Sequence, residues 1–327
     1  MRLFYFLAGF FGGICSFAGC CNNTSFAEAV GNLSSGSTGT PNNLAKTRLQ
    51  NGKQKTNVAV YSSMPQLFDA HHRVFSLMDN RLLAHVVRKG GLAIPVGYPG
   101  VAKYMQFRRP WNPWQINTKE DDRKVALAIQ SVTWLVFPLT AQQARSTTLS
   151  VRLKSPVPQN LRIHVNENQL QLIPLRVGWQ RVVVKISPQM LRNGENKLNF
   201  KWGKSGPLES GTGFAAVDWV HVGNEALDET QKIDLLDKDG FSLPAEGGVA
   251  YYVYPYTGAK LWVQMEAQTP NIRCKLLIMA TTKDSKTRQF VREETAQQEG
   301  LTETYVDLGS VANNVSRLEL IATGPEC

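Results

Sequence analysis

From about residue 92 onward, apolar and polar positions alternate with period two. Leu149, Val151 and Leu153 alternate with Ser150, Arg152 and Lys154, and Leu161, Ile163 and Val165 alternate with Arg162 and His164. Val182, Val184 and Ile186 follow, then Leu198, Phe200 and Trp202. Each run is a strand with one face toward a core. Turn chemistry separates them at Val165-Asn166-Glu167-Asn168 and at Asn193-Gly194. Regular short strands without helices between them predict an antiparallel, jelly-roll-like β-sandwich over residues 92–223. Residues 224–240 are polar and acidic and read as a linker. A second strand series starts near Phe241. Tyr251 to Tyr254, Leu261/Val263/Met265, Cys274/Leu276/Ile278, Phe290, Tyr305/Val306 and Leu318/Leu320 supply its core, which predicts a second β-sandwich over 241–327. The two series show no internal repeat, and the expected fold class is mainly β.

The N-terminal part departs from that pattern. Leu67, Ala70, Val74, Phe75, Met78, Leu82 and Val86 recur at steps of three and four, which predicts one amphipathic helix within 64–91. Pro65 suits its first turn and Gly90-Gly91 its end. The adjacent His71 and His72 point to different helix faces and cannot chelate together, so with His85 they read as a solvated face. Residues 21–63 are rich in Ser, Gly, Asn and Thr, as in Asn32-Leu33-Ser34-Ser35-Gly36-Ser37-Thr38-Gly39, and read as a flexible tether. Residues 1–20 begin with Arg2 and an apolar run from Leu3 to Phe17, shorter than the ~20 residues a spanning helix needs. It fits the apolar region of a secretory signal. Phe17-Ala18-Gly19-Cys20-Cys21 then resembles the lipobox of bacterial lipoproteins, with Cys20 as the lipidated residue. Ala27-Glu28-Ala29 offers a second cleavage site that yields a soluble product instead. Export to a bacterial outer membrane or periplasm is the expected localisation.

Charge and cysteine usage narrow the partners. The chain has 327 residues, enough for two domains, and a formal net charge of +10. That balance favours acidic partners, although the Lys and Arg residues are scattered. Nucleic acid is not expected: a clustered basic stripe with aromatics is missing, and the chain reads as exported. Of the five cysteines only Cys274 and Cys327 lie in the body. They either pair, or Cys274 sits free on an apolar strand face.

Motifs of catalysis and cofactor binding are missing. There is no G-x-G-x-x-G, Walker A, H-E-x-x-H, H-x-H or G-x-S-x-G sequence, so no cofactor, metal or catalytic residue is expected. Asp237-Lys238-Asp239-Gly240 begins like a calcium loop but lacks the closing glutamate. Asp218 and His221, three apart on a strand, are expected on opposite faces. Asp121-Asp122 and Glu293-Glu294 read as solvated. The distinctive stretch is Arg108-Arg109-Pro110-Trp111-Asn112-Pro113-Trp114, whose prolines exclude regular structure. Arg108, Arg109, Trp111 and Trp114 together suit stacking on a sugar ring and pairing with an acidic group. The alternative is that the tryptophans plug the end of the sandwich. Trp179, Trp202 and Trp219 lie in strands and read as core.

One stretch carries a family resemblance. Val165-Asn166-Glu167-Asn168-Gln169-Leu170, then Leu175-Arg176-Val177-Gly178-Trp179-Gln180, Ile186-Ser187-Pro188 and Leu191-Arg192-Asn193-Gly194-Glu195-Asn196-Lys197-Leu198 resemble galactose-binding-like jelly rolls that accompany polysaccharide-active enzymes. In this stretch Gly194 permits a left-handed turn and Asn196 can bond its own backbone. The order of lipobox, tether, helix, jelly roll closing on Ala215-Ala216-Val217-Asp218-Trp219-Val220, and second β-domain resembles the N-terminal region of bacterial lipoprotein sulfatases. That resemblance covers about residues 64–320. The sulfatase motif C/S-x-P-x-R is absent, since Ser63-Met64-Pro65-Gln66-Leu67 lacks its arginine. The sequence therefore points to a non-catalytic, lipid-anchored binding or scaffold protein whose jelly roll takes a glycan, anionic or neutral. An accessory part of a split or truncated sulfatase, and a module that docks another envelope protein, are the two other readings.

Overall fold

The computed structural model describes residues 2–10, 73–105, 112–228, 240–266, 275–282, 289–295 and 302–324. Among these residues the molecule is organised by one long antiparallel sheet of eleven strands. Its main path runs Gly178–Lys185, Thr148–Ser155, Ala215–Gly223, Gly91–Pro95, His85–Arg88, Gly247–Val253, Ser316–Thr323, Lys275–Thr282 and Gln289–Thr295. Arg123–Ala128 pairs with Ala215–Gly223 and with Trp114–Glu120 at a branch.

Two smaller sheets cover opposite faces of this long sheet. A four-stranded sheet of Asn168–Leu175, Gln159–Val165, Gly194–Trp202 and Val132–Leu139 packs on one face. Leu161, Ile163, Leu198 and Phe200 meet Leu149, Val151, Leu153, Val217 and Val220 in the first core. A sheet containing Lys260–Glu266 and Thr302–Asp307 packs on the other face, farther along. There Leu261, Val263 and Met265 meet Val249, Tyr251, Leu318 and Leu320 in the second core. Gly91–Pro95 serves both cores at once, with Leu92 and Ile94 in the first and Ala93 in the second. The two sandwiches expected from the sequence are therefore present as two cores that share one continuous sheet. The hydrogen-bonded ladder joins them, and Leu77, Ala84, Val86 and Trp219, which precede residue 224, also belong to the second core.

The amphipathic helix expected over 64–91 is corrected for its described part. Arg73–Phe75 is a strand, Arg81–Leu83 a single 3-10 turn, and His85–Arg88 a strand that pairs with both Gly91–Pro95 and Gly247–Val253. Lys89 and Gly90 take positive φ values of 47° and 70° and form the two-residue turn of a hairpin, where the sequence reading placed a helix end. The misreading has a physical cause. A strand at the centre of the sheet is covered on both sides, so four successive residues are buried and the period-two signal vanishes. Leu82, which fed the helical pattern, is exposed. His71 and His72 lie outside the described residues, as do Cys20, Cys274 and Cys327 and the Asp237–Asp239 stretch.

Arg2–Phe10, inside the segment read as a leader, is an extended strand antiparallel to Lys260–Glu266, in register from Arg2 opposite Glu266 to Ala8 opposite Lys260. No helix among the described residues is long and apolar enough to cross a membrane.

The turn chemistry of the jelly roll was legible. Gly194 has φ of 96°. The buried Asn196 side chain donates to the carbonyls of Gly194 (2.9 Å) and Arg192 (2.8 Å) and accepts from the Arg192 amide (2.8 Å). Asn166, itself at φ 53°, adds a hydrogen bond to Asn196 Oδ1 (3.1 Å) and ties this hairpin to the neighbouring one. Removing these bonds strands several buried backbone groups. Asn196→Ala is expected to lower the unfolding free energy by about 1–3 kcal/mol, read from urea denaturation, with Asn196→Asp retaining part of the loss.

Candidate functional site

The structure places Trp114 inside the first core. Its ring is 1% exposed, its Nε1 donates to the carbonyl of Trp134 (2.9 Å), and Phe200 meets it edge-on at 6.2 Å. Trp114 is thus removed from the expected ligand-binding set: it begins a strand whose first residue faces inward. Arg108, Arg109 and Trp111 lie outside the described residues. Trp202 and Trp219 are core, as expected. Trp179 is different. It packs half-buried on the outer side of the long sheet against Val125, Leu127 and Ala216.

Around Trp179 stands a dense polar network. Trp179 Nε1 donates to Asp121 (2.7 Å), and the guanidinium groups of Arg123 and Arg152 lie 5.6 and 5.5 Å from its ring. Both arginines stand 3.7 Å from Asp218. Burial pushes the Asp218 carboxyl up, while Arg152 and Arg123 pull it back. A bulge at Asp218 adds one residue to the strand, so Asp218 and His221 share a face instead of opposing each other as expected. They still form no acid/base pair, because His221 Nε2 bonds the backbone carbonyl of Arg88 (3.1 Å).

Glu120, Asp121 and Glu209 bring three carboxylates within reach of one cation. The Lys154 ammonium already stands there, 2.8 Å from both Glu120 and Asp121. Burial acts upward on the Glu120 carboxyl, but hydrogen bonds from Lys154 and from the Glu209 and Ser210 amides outweigh it and leave its pKa lowered. Arg123, Arg152 and Lys154 are matched by Glu120, Asp121 and Asp218. With Glu209 beside them the carboxylates outnumber the cations, and the cations are engaged, which marks the network as a structural clamp on the sheet.

A second cluster has a different balance. It lies on the face of the long sheet that the first sandwich leaves behind, where His85, Tyr252, Arg317 and Glu319 are neighbours across three strands. The register places Ala250 opposite both His85 and Glu319, and Tyr252 opposite Arg317. The 3-10 turn Pro99–Tyr104 supplies Lys103 and Tyr104 beside them. Tyr104 is buried and its OH lies 2.8 Å from His85 Nδ1. Burial raises the Tyr104 phenol far above its ordinary value. Burial, with Lys103 and Arg317 nearby, holds His85 well below its ordinary value. Both are neutral at neutral pH, so Tyr104 donates and the imidazole accepts. The sequence reading of His85 as solvated is corrected: it sits on a strand covered by this turn.

Tyr252 is the exposed member. Its ring is 49% exposed, meets His85 edge-on at 5.5 Å, and has the Arg317 guanidinium 5.6 Å from its centre. Arg317 is 5% exposed, and its Nε donates to Glu319 (3.1 Å). Lys103 exposes its stem while its ammonium donates to the carbonyls of Leu82 (2.9 Å) and Ala84. Burial of the head draws the Lys103 pKa down to about 7. Past the strand end Tyr254 is again exposed, with Tyr256 edge-on to it at 5.3 Å. The result is a tyrosine shelf backed by cations. Sequence reasoning placed Tyr251 to Tyr254 together in the core. Alternation gives the better division, with Tyr251 inward and Tyr252 outward.

No protein-family model and no curated protein sequence matches this chain. Several solved structures are similar to it. A family 6 carbohydrate-binding module is 12% identical, over 41% of this chain and 93% of that one, with a TM-score of 0.27. A family 35 carbohydrate-binding module from an environmental isolate is 18% identical over 44% and 98%, with a TM-score of 0.25. The tandem CBM22 domains of Xyn10C from Paenibacillus barcinonensis are 10% identical over 75% and 90%, with a TM-score of 0.26. All three scores lie below 0.5, so nothing about ligand or role passes from them to this chain.

Proposed function

We propose that this chain is an exported, lipid-anchored binding protein of a bacterial envelope that takes a saccharide on the tyrosine shelf without catalysing its turnover. One observation carries the reading: a half-exposed aromatic ring, Tyr252, held in place by a buried imidazole and a buried guanidinium. Sugar rings present a face of C–H groups that stacks on such a ring, and their hydroxyls take hydrogen bonds from fixed polar neighbours. The surrounding chemistry suits binding and not turnover. Burial keeps both Tyr104 and His85 neutral, and each occupies the other in a hydrogen bond. The basic surface and the lipobox-like Ala18-Gly19-Cys20 support a place at the envelope, where acidic polymers are abundant.

Retention of the full processed chain on immobilised or gel-embedded polysaccharides tests this reading. Tyr252→Ala removes an exposed ring at little cost in stability. It is expected to lower affinity at least tenfold for whichever polysaccharide retains the unaltered chain. If no polysaccharide in a broad panel retains the unaltered chain, the reading is wrong. Retention unchanged in Tyr252→Ala removes the shelf as its site.

A further inference from the structure

We infer that the saccharide taken by the shelf is acidic, its carboxylate or sulfate being received by the guanidinium of Arg317. This inference rests on the saccharide reading and adds the chemical class of the ligand. Arg317 is 5% exposed, and Glu319 occupies only its Nε. Its Nη2 is closed off from water and has no hydrogen-bond acceptor among the described residues. A buried donor left unmade is costly, and more so on a charged group. Such a group persists where something else completes it. A planar guanidinium offers paired donors that match the two oxygens of a carboxylate or sulfate.

Access runs past Tyr252. Its half-exposed ring lies against the guanidinium. A sugar stacked on that ring brings its acidic substituent to the same place. The charges facing Arg317 agree. Glu319 shares its strand and face, His85 two strands away and Tyr104 on the 3-10 turn are neutral, and Lys103, whose pKa burial draws down to about 7, stands beside them. Glu319 takes the Nε of Arg317 and leaves Nη2 open among the described residues. Around Trp179, by contrast, Arg123 and Arg152 share Asp218, and Lys154 bridges Glu120 and Asp121. Of these two clusters, the tyrosine shelf is the one that holds an unpartnered guanidinium donor among the described residues.

The experiment compares matched probes on the unaltered full chain: oligogalacturonate against its methyl ester, and a sulfated galactan oligomer against its desulfated form. The expected result is at least tenfold tighter binding of the acidic member of one pair. Arg317→Gln should reduce that affinity at least tenfold, to the level of the uncharged member. Equal affinity within both pairs, or binding of uncharged polysaccharides alone, overturns the acidic ligand and leaves the saccharide reading standing. Binding to no saccharide overturns both. The comparison of probes needs no variant, so it decides the question even if Arg317→Gln fails to fold.

Discussion

Trp114→Ala is expected to lower the unfolding free energy by about 3–5 kcal/mol and to leave saccharide affinity per folded molecule unchanged. The sequence alone made Trp114 a candidate for contact with ligand, because it follows two arginines and two prolines. Its position decides otherwise. The ring fills the first core between the two facing sheets, edge-on to Phe200, which itself stacks on Trp202 at 5.5 Å. Truncation removes a large apolar surface, leaves a cavity that stiff neighbouring strands close poorly, and strands the carbonyl of Trp134, which accepts from Trp114 Nε1. Guanidinium denaturation of the variant, followed by affinity measurement at a denaturant-free condition where it is folded, separates the two effects. A variant of wild-type stability that has lost affinity would return Trp114 to the ligand site.

The contrast between Trp114 and Tyr252 shows what the sequence reveals and where it stops. Strands with one covered face announce themselves by alternation, and Leu149/Val151/Leu153 and Leu198/Phe200/Trp202 were placed correctly from that signal alone. Local turn chemistry was equally readable at Gly194 and Asn196, because it depends on a few adjacent residues. His85–Arg88 was lost because burial on both faces erases periodicity, and its apolar neighbours fell by chance at helical spacing. The Asp218 bulge was invisible, since an extra residue leaves no mark in composition. The shelf itself is built by pairings far apart in the chain: His85, Tyr252 and Arg317 meet only because Gly247–Val253 lies between His85–Arg88 and Ser316–Thr323. Within Tyr251-Tyr252, parity along the strand was the one available signal that one ring faces the core and the next faces out.

Acidification from pH 6.5 toward pH 4 is expected to destabilise the chain by up to about 3 kcal/mol through His221. His221 is fully buried. Burial draws its pKa down to about 4; the hydrogen bond to the Arg88 carbonyl works against that shift, and the Arg88 and Lys89 charges add to it. Between pH 4 and 6.5 the unfolded chain therefore binds a proton that the native chain refuses. The unfolded state holds more protons, so stability rises with pH across this window and is lost as pH falls through it. His85 acts in the same direction, since burial and the nearby cations Lys103 and Arg317 also hold it low. The imidazole of His221 has little room to move. A Cβ built on Gly91 would lie 2.6 Å from its Nε2, and one built on Gly223 would lie 2.4 Å from its Cε1. Urea denaturation at half-unit steps from pH 4 to 8 measures the effect in the unaltered chain and in His221→Gln. The glutamine keeps a donor for the Arg88 carbonyl but does not titrate. It should be less stable at pH 7.5 because it fills the space less well, and it should lose distinctly less stability between pH 6.5 and 4. Parallel pH profiles for the two proteins would mean that His221 is not the group responsible, and His85 would then be the next residue to replace.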